Sequence, residues 1–297
     1  MRIVVTGAAG FVGRALVRRL ADRHDVIGID TVAAASVVAG DLGDPALLQH
    51  VFAGGCDAVV HLATVPGGAA EQNPVEAKRV NVDATMALID AAAAAGTRPR
   101  FVFASSIAVF GDALPPAVDD TTTVAPKMIY GAQKAMMETW VTAQSRRGAI
   151  DGVSLRLPGI VARPAGPSGM KSAFMSDIFH ALAAGRPFVA PVSADATMWL
   201  MSVDRIAANL DHALDPGTGG GAVTLPALRV RFGDLAAAIA RATGAGPALV
   251  TYAPDTALQA AFGNQPLLAT PDAYSRGFAY DGDLDALVAS ALATLSR

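Results

Sequence analysis

The feature that most constrains the fold is a glycine-rich turn at the amino terminus. The four residues after Met1, Arg-Ile-Val-Val, read as a short buried strand, and they run directly into Thr6-Gly-Ala-Ala-Gly-Phe-Val-Gly13. The glycines of this turn are Gly7, Gly10 and Gly13. In a strand-to-helix turn the first glycine permits the tight bend, the second lets a pyrophosphate approach the backbone, and the third lets helix and strand pack closely. We therefore predict a dinucleotide whose phosphates lie at the start of the helix that opens with Phe11 and Val12.

A carboxylate stands where such a dinucleotide would place its adenosine ribose. Val26-Ile-Gly-Ile-Asp30 reads as a second strand, and Asp30 comes 17 residues after Gly13, close to the ~20 expected of the acidic residue that accepts the ribose hydroxyls. The charge of Asp30 would repel a 2'-phosphate, so the pattern favours NAD over NADP. The alternatives are an ordinary tight turn for the glycines and a solvated carboxylate at a strand end for Asp30.

The composition excludes several classes of protein. A chain of 297 residues can bury a sizeable core, and a net charge of -3 with a pI of about 5.9 leaves no basic stripe for a nucleic acid. The mean hydropathy of +0.39 comes largely from Ala and Val, and no run of 18 apolar residues occurs, so we expect neither a membrane span nor a secretory signal. Cys56 is the one cysteine, which fits a protein of the reducing cytoplasm, and we expect its side chain to be a small buried hydrophobe. The histidines are scattered without ligand spacing, so we predict no metal site.

Apolar strand candidates alternate with helical segments along the first half of the chain. After the first two strands the candidates are 37–38, 58–61, 101–104 and 152–157. This alternation predicts an α/β fold, a Rossmann-type doubly wound parallel sheet, whose ligands lie beyond the carboxyl ends of the strands. Six residues separate Asp30 from Val37, too few for a crossover helix, so we expect a trimmed loop there.

The amino-acid composition of the chain changes after the strand candidate at 152–157. A Gly/Pro-rich stretch at 158–169 leads to a helix predicted at about 172–184, and short elements follow beyond residue 222. We expect a NAD-binding Rossmann domain over residues 1–165, rejoined by a segment at about 200–222. Residues 166–199 and 223–297 would form a small carboxyl-terminal α/β lobe that binds substrate.

Tyr130 and Lys134 stand four residues apart, so on a helix the phenol and the ammonium share one face. An ammonium near a phenol stabilises the phenolate, and a pKa lowered by ~1 to 3 units from about 10 brings a tyrosine toward general-base catalysis at neutral pH. The alternative is a packed tyrosine beside a solvated lysine on an ordinary amphipathic helix.

Three further stretches follow the glycine turn in a fixed order. They are FASSIAVFG at 103–111, YGAQK at 130–134 and SLRLPGIV at 154–161. Together with the glycine turn they resemble the extended class of the short-chain dehydrogenase/reductase superfamily, the NAD-dependent epimerases and dehydratases, over nearly the whole chain. The resemblance implies that Tyr130 is the catalytic acid/base and that Ser106 hydrogen-bonds the reacting hydroxyl, with Ser105 as the fallback. It also implies that Lys134 binds the nicotinamide ribose and lowers the pKa of Tyr130.

The same resemblance implies a set of residues around NAD. Asp41 and Leu42 would flank the adenine, the run from His61 to Thr64 would lie beside the pyrophosphate and ribose, Asn81 would lie behind the site, and Pro158 would abut the carboxamide. The full predicted set is Gly7, Gly10, Phe11, Val12, Gly13, Asp30, Asp41, Leu42, Leu62, Ala63, Thr64, Asn81, Tyr130, Lys134 and Pro158. For each residue the alternative is a role in packing or capping.

Departures from the family pattern bear on the substrate. Met198 stands where sugar-nucleotide enzymes usually carry an arginine for the diphosphate, and Ile107 and Ala108 stand where dehydratases carry an acidic pair. The stretches SSIAVFGDALPP, YGAQKAMMETWV and RRGAIDGVSLRLPGIVARP instead resemble the branch of D-erythronate dehydrogenase-like proteins, which oxidise the 2-hydroxyl of a four-carbon sugar acid. Arg163, just past a strand end, could grip a carboxylate; its alternative is a solvated arginine or a pair with Asp195. Further predicted substrate residues are Ser168, Lys171 and Trp199, besides Ser106 and Tyr130.

We therefore expect an NAD-dependent oxidation of a secondary hydroxyl of a small sugar acid, a D-erythronate-like 2-hydroxy acid, to the 2-oxo acid. The alternatives are a sugar-nucleotide epimerase that uses bound NAD catalytically and a non-catalytic NAD-sensing module. The resemblance also implies a homodimer through a four-helix bundle, built from the helices near 73–95 and 130–147. The apolar residues that suggest this surface are Met86, Ile89, Met136, Met137 and Trp140.

Overall fold

The computed structural model describes residues 1–34, 36–95, 98–166 and 171–295. The strands are β1 (Arg2–Thr6), β2 (Asp25–Asp30), β3 (Val37–Ala39), β4 (Ala58–His61), β5 (Arg100–Ser106), β6 (Ala117–Val118), β7 (Asp151–Leu157), β8 (Gly159–Val161), β9 (Phe188–Ala190), β10 (Thr197–Ser202), β11 (Gly221–Thr224), β12 (Leu228–Arg231), β13 (Val250–Tyr252) and β14 (Leu267–Leu268). The helices are α1 (Phe11–Leu20), α2 (Pro45–Phe52), α3 (Gly67–Gln72), α4 (Pro74–Lys78), α5 (Ala84–Ala94), α6 (Ile129–Arg146), α7 (Phe174–Ala183), α8 (Val203–His212), α9 (Phe232–Thr243), α10 (Thr256–Phe262), α11 (Pro271–Ser275) and α12 (Leu284–Leu295).

A seven-stranded sheet forms the centre of the molecule, and its strands are ordered β11-β7-β5-β4-β1-β2-β3. Every pair of neighbours in it is parallel. The predicted doubly wound α/β fold is therefore confirmed. The third strand is also present: β3 pairs with β2, and the described residues between them form no helix. Because the strands are parallel, the residues that follow β1, β4, β5 and β7 meet at one edge of the sheet.

Both faces of this sheet are covered by helices. Alternate residues of β1, such as Ile3 and Val5, pack against α1 and α8, whereas Val4 faces α2, α5 and α6. The strands are therefore buried on both sides, which explains their nearly continuous apolar sequences. Cys56 lies in the second of these layers, where burial raises the pKa of its thiol to about 11.

The carboxyl-terminal half has a core of its own. It is built from α7, α9 and α12 against the small sheet of β8, β10 and β12. One assignment from the sequence was wrong: the run at 223–225, placed in this lobe, largely belongs to β11, which extends the central sheet by pairing with β7. A strand as short as β11 does not reveal from its sequence which strand it will pair with, since its partner lies some 70 residues earlier in the chain.

The apolar residues that suggested a dimer divide into two groups. Ile89 and Met137 are fully buried within the chain, between the sheet and its helices, so they cannot contribute to an intermolecular surface. Met136 is 56% exposed on α6, and Met86 and Trp140 are half-buried. The homodimer through these helices stays a prediction.

The glycine turn provides a test of packing at the start of the fold. A Cβ added to Gly13 would lie 2.0 Å from the carbonyl oxygen of Gly7, a contact that side-chain rotation cannot relieve. We expect Gly13→Ala to lower the free energy of unfolding by about 3 kcal/mol or more, measured by urea denaturation. The matched control is Gly246→Ala, where a Cβ meets open space and the change should stay within about 0.5 kcal/mol. Equal stability of the two variants would contradict the tight packing at Gly13.

Candidate active site

The glycine turn fits the phosphates of a dinucleotide. Gly7 adopts a φ of +69°, and a Cβ on it would approach the backbone nitrogen of Ala63 to 2.8 Å, so neither the bend nor the neighbouring strand end tolerates a side chain. The first turn of α1 has no side-chain cap and no acidic residue, which leaves its N–H groups available to an anion. Gly10, the residue before the helix, is exposed. Phe11 and Val12 begin the helix and are half-buried.

Asp30 is placed at the end of β2, beside this turn. One oxygen of its carboxylate accepts a hydrogen bond from the backbone N–H of Ala9 at 3.0 Å, and the other accepts one from Val32 at 3.1 Å. The carboxylate thus joins the second strand end to the glycine turn while remaining half-exposed. This is the position in which a ribose diol of NAD could also bind.

The residues predicted to flank the adenine are only partly available to contact a nucleotide. Asp41 forms an ion pair with Arg79 at 2.8 Å, and a hydrogen bond from the backbone N–H of Gly43, with help from Arg79, lowers the pKa of its carboxyl. The side chain of Leu42 lies in the hydrophobic core, so its backbone alone could contact a nucleotide.

A buried hydrogen-bond network runs from the glycine turn to the end of β4. The hydroxyl oxygen of Thr6 accepts the N–H groups of Leu62 and Ala63, each at 3.2 Å, so its proton is directed to Nδ1 of His61 at 2.6 Å. His61 therefore carries its proton on Nε2, which donates to the hydroxyl of Thr85 at 2.8 Å. Complete burial lowers the pKa of His61 to about 3, and Lys134 contributes to this shift. The imidazole is consequently neutral at physiological pH.

Asn81 lies at the centre of a second network, on a π-helical turn at Arg79–Asp83. Its Oδ1 accepts from the backbone N–H of Val65 at 2.7 Å and from the hydroxyl of Thr64 at 2.9 Å. Its Nδ2 donates to Gln133 on α6 at 2.7 Å and to the carbonyl of Val65 at 3.0 Å. Asn81 therefore fixes the loop after β4 against the helix that carries Tyr130, which is the location expected behind the site. Such π-turns are frequent at functional positions.

Tyr130 and Lys134 lie on α6, facing the end of β5. The Ser106 hydroxyl lies near the phenol of Tyr130 and lowers the pKa of that phenol. Lys134 is almost completely buried; its Nζ donates to the carbonyl of Ala104 at 2.8 Å and lies 4.6 Å from the ring centre of Phe103. Burial lowers the pKa of Lys134 to about 7, although Glu138 opposes that shift.

The expected effect of Lys134 on Tyr130 is not observed. Burial raises the pKa of Tyr130, and the two groups that oppose the increase are Arg163 and the Ser106 hydroxyl. Nζ of Lys134 lies 5.6 Å from the ring centre of Tyr130 and donates to the carbonyl of Ala104, and it does not contribute to the pKa of the phenol. The predicted lowering of the Tyr130 pKa by Lys134 is therefore not borne out, and the catalytic roles of the two residues stay predictions.

The two serines at the end of β5 have different surroundings. Ser105 is buried, and its hydroxyl donates to Glu138 at 2.5 Å. Ser106 is half-exposed; its oxygen accepts from the backbone N–H of Ala108 at 3.1 Å, and it lies beside Tyr130. The structure thus brings together Ser106, Tyr130 and Lys134, and it turns Ser105 away from them. Buried Pro158 follows β7 and precedes β8 at the same edge of the sheet.

Arg163 follows β8 and reaches the same place. Its guanidinium carbon lies 5.6 Å from the ring centre of Phe11, and its charge acts on Tyr130. Two residues of α7 hold its backbone: the Ser176 hydroxyl accepts the Arg163 N–H at 3.0 Å, and Nε2 of His180 hydrogen-bonds its carbonyl at 2.6 Å. Burial lowers the pKa of the guanidinium. Within the described part of the chain Arg163 has no ion pair; Asp195, its predicted alternative partner, pairs with Arg231.

Of the other predicted substrate residues, those that the structure describes do not join this group. Trp199 is 1% exposed, and its indole N–H donates to the carbonyl of Pro266 at 2.8 Å, so the structure argues against its predicted role as a lining residue. Lys171 is exposed, and Ser168 lies outside the described residues. Met198 is fully buried in the core of the second lobe. Among the residues described, no cluster of side chains could hold a metal ion, and no helix is both long and apolar enough to cross a membrane.

The fold and the site together define a member of the NAD dependent epimerase/dehydratase family, which residues 3–223 match. The chain belongs to this family. D-erythronate dehydrogenase of Cupriavidus necator is 35% identical to it over 97% of each chain, and the enzyme of the same name from Haemophilus influenzae is 34% identical over 72% of each. Among solved structures, a nucleoside-diphosphate-sugar epimerase from Agrobacterium tumefaciens is 31% identical, with a TM-score of 0.88 over 97% of this chain and 92% of that chain.

The buried His61 makes the stability of the protein depend on pH. In the unfolded chain a histidine takes up a proton below about pH 6.5, whereas folded His61 does so only near pH 3, so stability is lost as pH falls through this window. We expect His61 to account for about 2 kcal/mol of the stability lost between pH 7 and 5. Urea denaturation of His61→Gln at the two pH values should show that much less pH dependence, and the exposed control His50→Gln should match the wild type. A wild-type slope in His61→Gln would contradict the neutral assignment.

Proposed function

We propose that the protein is an NAD-dependent dehydrogenase that oxidises the C2 hydroxyl of a small sugar acid such as D-erythronate to the 2-oxo acid. The observation that carries this proposal is the arginine beside the candidate acid/base. Arg163 is a largely buried guanidinium, held at its backbone by α7, close to Tyr130 and without a carboxylate partner among the described residues. A buried cation in an open site calls for an anionic ligand, and a guanidinium matches a carboxylate bidentately.

The names of the relatives support the same substrate class. Two of them, at 34–35% identity, are D-erythronate dehydrogenases. In D-erythronate the carboxylate is bonded directly to C2, so a substrate gripped by Arg163 presents its C2 hydroxyl to the neighbouring Tyr130. The adjacency of the two functions in the substrate is consistent with the electrostatic effect of Arg163 on Tyr130.

In the proposed reaction Oη of Tyr130 removes the proton of the C2 hydroxyl, while the Ser106 hydroxyl donates a hydrogen bond to the developing ketone oxygen. Arg163 orients the carboxylate and favours the ionised phenol. Lys134 donates one N–H to Ala104, which leaves two for the hydroxyls of the nicotinamide ribose. When bound, NAD supplies the oxidised nicotinamide ring, which accepts the hydride and, being cationic, further lowers the pKa of Tyr130.

Sugar-nucleotide epimerisation is the second candidate because members of the same family carry it out on the same fold. Its diphosphate substrate would find buried Met198 instead of an arginine. A simple assay separates the two candidates: a dehydrogenase accumulates free NADH with its substrate, whereas an epimerase regenerates NAD within each turnover.

The role of Tyr130 is tested by removing its hydroxyl. We expect Tyr130→Phe to lower the rate of NADH formation from D-erythronate by roughly 10²- to 10⁴-fold, the usual contribution of a general base, while NAD binding measured by calorimetry stays near the wild-type value. Tyr274→Phe, at a half-exposed tyrosine on α11, serves as the control and should retain full activity. Full activity of Tyr130→Phe would contradict the assignment.

The role of Arg163 is tested by neutralising its charge. We expect Arg163→Gln to raise the KM for D-erythronate about 10- to 100-fold, the loss of a charge-assisted hydrogen bond, and to reduce the preference for D-erythronate over the neutral polyol erythritol by a similar factor. Because Arg163 lowers the pKa of Tyr130, the profile of kcat against pH should also move to higher pH. Arg186→Gln, at an exposed arginine, is the matched control. An unchanged preference would contradict carboxylate binding by Arg163.

A further inference from the structure

A third ionisable residue follows Tyr130 and Lys134 on the same face of α6. Glu138 comes four residues after Lys134 and is 5% exposed. Its Oε1 accepts hydrogen bonds from the Ser105 hydroxyl at 2.5 Å and from Nε of Arg156 at 3.0 Å, and its Oε2 accepts one from Nη2 of Arg156 at 2.8 Å. A carboxylate with three good hydrogen bonds to a hydroxyl and a guanidinium is held in one orientation.

These contacts join the three elements on which the site is built. Ser105 of β5 lies opposite Arg156 of β7 in the register of the sheet. Ser105 directly precedes Ser106, and Arg156 comes two residues before Pro158. Glu138 therefore attaches α6 to the two strand ends that supply the other side of the site. The guanidinium carbon of Arg156 lies 5.1 Å from the ring centre of Phe110, so the ion pair is also closed off from solvent on that side.

Lys134 is surrounded by few other charges. From its own helix it faces Tyr130 and Glu138; from β4 it faces neutral His61; and from β5 it faces the carbonyl of Ala104 and the ring of Phe103. Glu138 is the carboxylate whose charge favours the ammonium form, and burial opposes it. Removal of this carboxylate would leave Lys134 in an apolar pocket with a carbonyl as its acceptor.

We propose that Glu138 is a positioning residue with two effects: it holds the helix of Tyr130 and Lys134 against the ends of β5 and β7, and its charge keeps Lys134 protonated. The first effect alone would be that of a structural ion pair, for which replacement of both partners by neutral groups is often tolerated. The second effect distinguishes this carboxylate from such a pair, since it depends on charge and not on shape. The consequence of the Glu138 charge for turnover rests on the proposed function, whereas its consequence for the protonation of Lys134 does not.

Two variants separate charge from shape. Glu138→Gln nearly retains the shape and removes the charge; Glu138→Asp retains the charge and shortens the reach to Ser105 and Arg156. With Lys134 active as the ammonium, its deprotonation produces the alkaline limb of kcat/KM. We expect this limb to move to lower pH by roughly one unit in Glu138→Gln, and to stay at the wild-type pH in Glu138→Asp even where its rate is reduced. Asp285→Asn, which removes an exposed carboxylate paired with Arg241, is the control and should behave as the wild type.

A second measurement requires no substrate. Unfolded lysine keeps its proton to about pH 10.4, so the free energy of unfolding rises with pH once folded Lys134 loses its proton near pH 7. In urea denaturation between pH 5.5 and 9, that rise should begin about one pH unit lower in Glu138→Gln than in Glu138→Asp. An identical onset in the two variants, or equal shifts of their alkaline limbs, would overturn the proposal. Failure of D-erythronate as a substrate would bear on the proposed function and leave this stability comparison intact.

Discussion

The site depends on one costly interaction, the burial of the Lys134 ammonium beneath Tyr130. A charge removed from water is unfavourable unless polar partners replace the solvent. Here the partners are the carbonyl of Ala104, the ring face of Phe103 and the charge of Glu138 on the next turn of the same helix. The lowered pKa of Lys134, about 7, shows that the compensation is incomplete. A lysine with this pKa changes its charge near neutral pH. This property is useful beside a candidate acid/base residue, whereas elsewhere it would only reduce the stability of the protein.

The parallel sheet determines which residues can surround that ammonium. The strands β1, β4, β5 and β7 all run in one direction. Their carboxyl ends therefore place the glycine turn, the loop after β4 that Asn81 holds, Ser106 and Pro158 along a single edge. Helix α6 begins near this edge and adds Tyr130. The second lobe completes the arrangement because α7 holds the backbone of Arg163 through Ser176 and His180. The groups proposed for catalysis and for substrate binding thus come from elements of different cores.

Much of this architecture could be predicted from the sequence. The periodic apolar pattern at 130–147 became α6 at Ile129–Arg146, and the glycine spacing with Asp30 became a strand-turn-helix closed by the hydrogen bond from Ala9. Such features depend on neighbours in the chain, which a sequence shows directly. The position of the short third strand was predictable for the same reason, because its connection to β2 is too short for another element.

What the sequence could not reveal depends on distant partners. Trp199 was expected to line the site, but its indole N–H binds the carbonyl of Pro266, which lies 67 residues away in the chain. The sign of the Tyr130 pKa shift depends on burial and on the position of Arg163, neither of which follows from the spacing of Tyr130 and Lys134. Glu138 was visible as the next member of that spacing. The spacing alone does not predict its burial, because a charged residue on a helix is most often solvated and its partners Ser105 and Arg156 come from the strand ends beneath α6.

A crystal structure of the protein with NADH and D-erythronate would test the proposed roles of Tyr130 and Arg163 most directly. We expect Oη of Tyr130 to lie within about 2.6–3.2 Å of the C2 hydroxyl oxygen and the Arg163 guanidinium to contact the carboxylate through two parallel hydrogen bonds. A complex in which the carboxylate lies away from Arg163, with the Tyr130 hydroxyl directed away from C2, would contradict these roles.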